Sequence, residues 1–245
     1  PIVMGWQWGG GWLATIGFSD FAGSTLVHST GGAAALAGIM ILGPRFGRFD
    51  SKGNPKAIQP FAASSIPLVT IGVFVLWLGW FGFNGGSQLA LGSFADAVAI
   101  STIFINTNLA ACGGVLAAAV VTRLLFGKTD VIQMLNGAIG GLVAITAEPL
   151  APTPLAAILI GAMGGVIVVF GTKLLFSFKL DDVVGAIPAH MFAGIFGTLV
   201  VPMTNVDATF SAQLIGVLSI NIFVFVVAYI VWSIMNGLFG IRLSK

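Results

Sequence analysis

The sequence predicts an all-α protein that crosses a membrane several times. Three observations carry this. Charged residues are 7% of the chain and hydrophobic residues 57%, with a mean hydropathy of +1.05. A soluble domain typically has about a quarter of its residues charged, so this chain has too few to cover an aqueous surface. The apolar residues gather into runs of about twenty, the length at which a helix crosses the hydrocarbon core. The basic residues are sorted into alternate linkers, as in a chain threaded back and forth through a bilayer.

The composition excludes other classes. Cys112 is the single cysteine, so the chain builds neither a disulfide framework nor a cysteine metal site of its own. The 34 glycines suit helices packed closely through small residues. The net charge of +2 says little about partners, because its distribution matters more. Pro1 stands where a methionine would begin a chain and no signal peptide pattern follows, so the sequence reads as part of a longer protein.

Residues 1–19 mix glycine with Trp6, Trp8 and Trp12 and read as a membrane-interface segment. Seven spans follow, at roughly 21–43, 63–84, 97–121, 133–148, 154–176, 182–202 and 212–239, the fourth of them short. The second, fourth and sixth are preceded by Arg45, Arg48, Lys52 and Lys56, by Arg123 and Lys128, and by Lys173 and Lys179; Arg242 and Lys245 follow the seventh. These are all ten basic residues, and on this topology they share one side. The opposite linkers hold Asp20, Asp96, Glu148 and Asp207. The positive-inside rule makes the basic side cytoplasmic, with the N-terminus outside and the C-terminus inside. An acidic outer face concentrates cations; it is also what the positive-inside bias leaves by default. Gly137 with Gly141, and Gly161 with Gly165, are small pairs four apart that let backbones approach.

Few residues inside the spans carry chemistry. The chain has two histidines, His28 in DFAGSTLVHSTGG and His190 in GAIPAHMFAGIFG, and both lie inside apolar runs. An ionisable group at that depth is expensive and marks a functional site by default. Three readings are open: each ring is satisfied by a backbone carbonyl, the two ligate a haem axially, or they line a narrow path for a proton or polar solute. The arginines all sit at the cytoplasmic edge, away from where haem propionates would need them. Asp20 reads as a helix cap that accepts backbone N–H bonds, or as a direct ligand for a substrate cation. In GWFGFNGGS, Trp80, Phe81 and Phe83 suit an interfacial aromatic belt. Phe83, Asn84 and Ser87 share a face that also suits a small cation, held by an aromatic ring and a hydroxyl, with Trp8 as a second ring. Asn106, Thr107, Asn108 and Thr146 read as interhelical hydrogen bonders. Asp181 and Asp182 read as charges at a helix N-terminus.

Taken in order, WGGGWLATIGFSDFAGSTLVH, GWFGFNGGS, IFINTNLAA, NGAIGGLVAIT and DDVVGAIPAH strongly resemble the ammonium transporter family (Amt/Mep/Rh), on its Amt branch. The resemblance covers nearly all of 1–245, which reads as one partial transmembrane domain. It implies inverted five-helix repeats plus a long last helix, with roughly the first four helices preceding this chain. It implies ammonium or ammonia as substrate, a homotrimer in the plasma membrane, a PII-type signal protein at the cytoplasmic face, and no enzyme activity, cofactor, metal or nucleic acid. His28 and His190 would be twin pore histidines and Phe83 one of two phenyl gates. Trp8 and Ser87 would recruit the cation, and Asp20, Trp80, Asn84 and Thr146 would support the site. The chain departs from many members at Ala189 and Met191, beside the second histidine, and at Gly185, where some carry an acid. The implied activity is transport through a hydrophobic pore, the cation losing its proton before passing the histidines. An ammonium sensor fused to a signalling domain, and a bis-histidine haem protein, are the alternatives.

Overall fold

The computed structural model describes residues 1–49 and 63–243. Lys52, Lys56 and Lys245 lie outside the described residues. Two short helices, α1 (Ile2–Gln7) and α2 (Trp12–Thr15), form the interface segment, with Trp6 packed on Trp12 and on Phe223. The long elements are α3 (Ser24–Leu42), α4 (Ile66–Gly86), α5 (Phe94–Phe126), α6 (Val131–Ile145), α7 (Pro154–Ser177), α8 (Ile187–Met203) and α9 (Phe210–Phe239). Five of these are long and apolar enough to cross a membrane, and α6 and α8 are shorter apolar helices.

Helix starts follow local chemistry. Ser65, Asp130, Thr153 and Thr209 each accept a backbone N–H three residues on. Ser93 and Asp96 form a capping box at the head of α5, so Asp96 lies inside the helix start rather than free in a linker. Gly127 ends α5 in left-handed geometry.

The centre is a three-helix pack of α5, α6 and α7. A Cβ at Gly161 or Gly141 would run into the carbonyl of Ala110, and one at Gly165 into that of Gly114, so the helices meet backbone to backbone. Without a hydrophobic drive between helices in lipid, such contact supplies the packing attraction. The small pairs Gly137/Gly141 and Gly161/Gly165 therefore sit in the seams between these helices.

The predicted spans differ from the helices where backbone is held by something other than a helix. The fourth was expected to reach residue 148, yet α6 stops at Ile145, 15 residues and about 22 Å long. The next residues pair across the fold: Phe21 and Ala22 donate to the carbonyls of Ala147 and Thr146, and Asn106 Nδ2 donates to those of Pro149 and Pro152. Non-helical backbone is tolerated at depth where protein satisfies it. The sixth span was placed from residue 182, yet α8 starts at Ile187, because Asp182 gathers the intervening amides.

Candidate functional site

Two short segments build the site, and they share a pattern. Asp20 precedes Gly23 by three positions and His28 by eight; Asp182 precedes Gly185 by three and His190 by eight. Each acid is an amide collector. Asp20 Oδ1 accepts from the N–H of Gly23 and Ser24 at 3.1 and 2.8 Å, and Oδ2 from Thr25 and Leu26 at 2.9 and 2.8 Å. Asp182 Oδ1 accepts from Gly185 and Ala186, both at 3.0 Å, and Oδ2 from Ile187 at 2.7 Å. Both glycines have positive φ, 112° at Gly23 and 76° at Gly185, where a side chain would be strained. Each collected turn then opens into a π-helical stretch, Ser24–Ser29 at the head of α3 and Ile187–Phe192 at the head of α8. Such wide turns recur at functional positions, and each here carries a histidine.

The two stretches bring the rings together. His28 Nδ1 and His190 Nδ1 are 3.3 Å apart, with ring centroids at 5.3 Å. Trp80 stacks on His28 at 4.8 Å and 19°, and its Nε1 donates to Thr146 Oγ1 at 2.9 Å, while that hydroxyl donates to the Leu142 carbonyl. Phe83 lies against His28 at 5.2 Å and Trp80 at 5.9 Å. His28, His190, Phe83, Trp80 and Thr146 are thus one cluster. His28 Nε2 is buried and meets no hydrogen-bond partner among the described residues, a feature that calls for an explanation in a native site.

Other candidates surround it. Asp20 is fully buried. Its two oxygens offer about four lone-pair positions, and four amides take them. A cap is what this geometry builds; a substrate ligand would need a free lone pair. Trp8 is 44% exposed and donates Nε1 to the Asp20 carbonyl at 2.9 Å. Ser87 donates to the Phe83 carbonyl at 2.8 Å, which leaves the hydroxyl oxygen free to accept. Asn84 turns away from Phe83 and donates to Thr107 Oγ1 on α5 at 3.0 Å. Asn106 holds the loop that follows α6, whereas Asn108 is exposed and makes none of the expected interhelical bonds among the described residues. Ala189 is buried, and Met191 packs on Gly32.

Sequence reasoning missed three partnerships. Asp181 and Asp182 divide their work: Asp182 collects amides as a helix-start charge should, but Asp181 binds Arg45 through Nε and Nη2 at 2.7 and 2.9 Å and Arg48 Nε at 3.1 Å. The physical reason is direction, since successive side chains point apart and only one can face the helix. Ser29 donates to Asn221 on α9 at 2.6 Å. Gln213 accepts from the Ser19 amide and donates to the Ser19 and Thr198 carbonyls. The Asp-x-x-Gly-x-x-x-x-His repeat was present in the sequence as a signal for the Asp182 role.

A family model described as Ammonium Transporter Family matches residues 1–245. The chain belongs to the ammonium transporter family. Among relatives, it is 46% identical over 209 residues to ammonium transporter Amt2 of Archaeoglobus fulgidus, covering 81% of this chain and 43% of that protein. It is 34% identical over 266 residues to ammonium transporter Amt1 of Haloferax mediterranei, covering 100% of this chain and 51% of that one. Among solved structures, a sensor Amt protein superposes with TM-score 0.88 at 31% identity, covering 96% of this chain and 59% of the other. Candida albicans Mep2 gives 0.87 at 28%, covering 99% and 56%. The chain therefore spans about half the length of the family members it matches. It has their all-helical fold and is a multi-pass integral membrane protein.

Proposed function

We propose that the full-length protein carries ammonium across the membrane as ammonia and a proton, through the site around His28 and His190. The observation that carries this reading is the direct contact of two imidazoles beside two aromatic rings, Trp80 and Phe83. Of the two facing Nδ1 atoms one donates and one accepts. One ring then presents an accepting Nε2 and the other a donating Nε2–H. Such a pair hydrogen-bonds a small polar solute from either end and can pass a proton by switching tautomers. A porphyrin between the rings would have to separate them, so this contact favours a path over haem ligation.

Selectivity follows from solvation. An intact ammonium ion pays heavily to enter an apolar pore, and burial favours its neutral form. Trp8 and Ser87, with Phe83 behind them, would hold the cation by ring faces and a hydroxyl acceptor while it sheds water and then its proton. The acidic outer linkers would raise its local concentration. Asp20, Trp80, Asn84 and Thr146 act as supports. The assembly would be a homotrimer in the plasma membrane with the basic ends cytoplasmic, where a PII-type signal protein would dock. The likeness to a sensor Amt protein supports a second reading, a receptor that binds ammonium without carrying it.

The test uses full-length protein in proteoliposomes. Methylammonium uptake and ammonium-driven current are measured for the parent, His28→Ala, His190→Ala and the double variant. The transport reading expects current to fall more than passage of neutral ammonia, with the double variant no worse than the more damaging single, since the pair acts as one unit. Unchanged current in all three variants overturns the pore assignment. Saturable ammonium binding with no uptake by the parent favours the receptor.

A further inference from the structure

The two half-sites are alike in their acids, glycines and histidines but unlike in how they are held. The first is fastened on three sides. Ser24 Oγ donates to the Val143 carbonyl on α6, Thr25 Oγ1 contacts Thr198 Oγ1 on α8 at 2.7 Å, and Ser29 Oγ reaches Asn221 on α9. The second stretch, Ile187–Phe192, is Ile-Pro-Ala-His-Met-Phe and carries no hydroxyl or amide side chain with which to do the same. Its polar anchoring lies upstream, in residues 181–186. Asp182 collects its amides, Asn136 Nδ2 donates to the Val184 carbonyl at 2.9 Å, and Asp181 is gripped by Arg45 and Arg48.

That grip is a built feature. The Asp181 side chain is 1% exposed and that of Arg48 7%. Arg45 offers a two-nitrogen fork plus its own backbone N–H to the same carboxylate, the strong and directional form of an ion pair. The Arg48 guanidinium also lies 4.0 Å over the Phe176 ring at the end of α7. The residues that grip Asp181 come from the linker that leaves α3, whose head carries His28. Arg242, beyond α9, holds that linker by donating to the carbonyls of Leu42 and Pro44.

We propose that Arg45, Arg48 and Asp181 are positioning residues for His190: the cytoplasmic linker after α3 sets the seat of the second histidine, while the first is fixed by its own helix contacts. This rests on the transport reading for its functional meaning but not for its structural claim. Because Asp181 is next to the amide collector Asp182, releasing Asp181 loosens the turn at 184–187 and lets the His190 ring drift from His28. The first half-site, tied also to α6 and α9, stays in place. Whatever moves the linker from the cytoplasm thereby acts on one histidine and not the other.

The experiment uses full-length protein carrying Asp181→Asn, Arg45→Ala or Arg45→Lys, the last keeping charge but losing the fork. Amide hydrogen exchange is read at Ala186 and Ile187 and, as internal reference, at Ser24 and Leu26. Exchange is expected to rise at Ala186 and Ile187 in every variant and to stay unchanged at Ser24 and Leu26. Transport in the same samples should lose about tenfold in maximal rate with little change in the concentration for half-saturation, because the outer site is untouched. Equal acceleration of exchange in both half-sites, or none in either, overturns the proposal. If exchange changes as expected while the parent itself carries no ammonium, the transport reading fails and the positioning claim stands. Should Arg45→Ala not fold, Arg45→Lys gives the same comparison.

Discussion

At the scale of single residues, the two acids that open the half-sites matter through backbone amides rather than through a ligand. Removing the Asp20 carboxylate leaves four buried N–H groups without acceptors, each costing about 1–3 kcal/mol. Asp20→Ala should therefore abolish methylammonium uptake and lower the yield of folded protein, and Asp20→Asn should retain part of both. Full uptake by the alanine variant would remove the cap as an account of Asp20. Asp181 responds to acid. Burial pushes its carboxyl up, but the hydrogen bonds and charge of Arg45, with the charge of Arg48, hold it below its ordinary value of 3.8. A depressed carboxyl contributes stability above its unfolded value and loses it as pH falls through the folded one. Thermal melts in detergent should show a parent advantage over Asp181→Asn near neutral pH that disappears in strong acid; a gap independent of pH would count against the ion pair. The sequence made His28, His190 and Asp20 legible because polar groups are conspicuous in apolar runs. It hid the Arg45–Asp181 and Ser29–Asn221 partnerships, since residues 136 and 192 positions apart carry no local trace of meeting.

At the scale of elements, the apolar runs located the seven helices that follow the interface segment among the described residues, because hydrophobic length is what a bilayer demands of a span. What the runs did not show was where helix gives way to other hydrogen bonding. A π-helical stretch of six residues shifts the side-chain phase too little to be seen against an apolar background, and the early end of α6 depends on Asn106 from another helix. The glycine pairs were visible, but their partners were not. Gly161 faces the backbone of Ala110 so closely that even a methyl group has no room. Gly161→Ala should force α5 and α7 apart and cost about 1–3 kcal/mol, as over-packing does. A melting temperature equal to the parent in detergent would show that this seam is looser than the contact implies.

At the scale of the whole molecule, charged and polar contacts gather at two ends, with the histidines between them. Arg45, Arg48 and Asp181 share one end with Arg242, which clasps Leu42 and Pro44, and Lys173 there lies over Phe126 at 5.8 Å. The other end holds Glu148, bound by Asn205 at 2.7 Å, the loop after α6 pinned by Asn106, and the Asp20 turn paired with Thr146 and Ala147. The histidines lie between, reached from one end by Asp20 and from the other by Asp182. Each end thus contributes one acid, one positive-φ glycine and one histidine to the pair. In a Cys112→Ser background, a cysteine replacing the exposed Asp207 should react with a membrane-impermeant maleimide on intact cells, and one replacing the exposed Lys128 only after permeabilisation. The positive-inside rule counts basic residues in short linkers. Here Arg123 and Lys128 flank one side of α6, and the residues following its other end hold Glu148 with no basic residue up to α7. Reversed labelling would place the basic ends outside. Trp8 and Ser87 would then face the cytoplasm, and the recruitment proposed for them would run from that side.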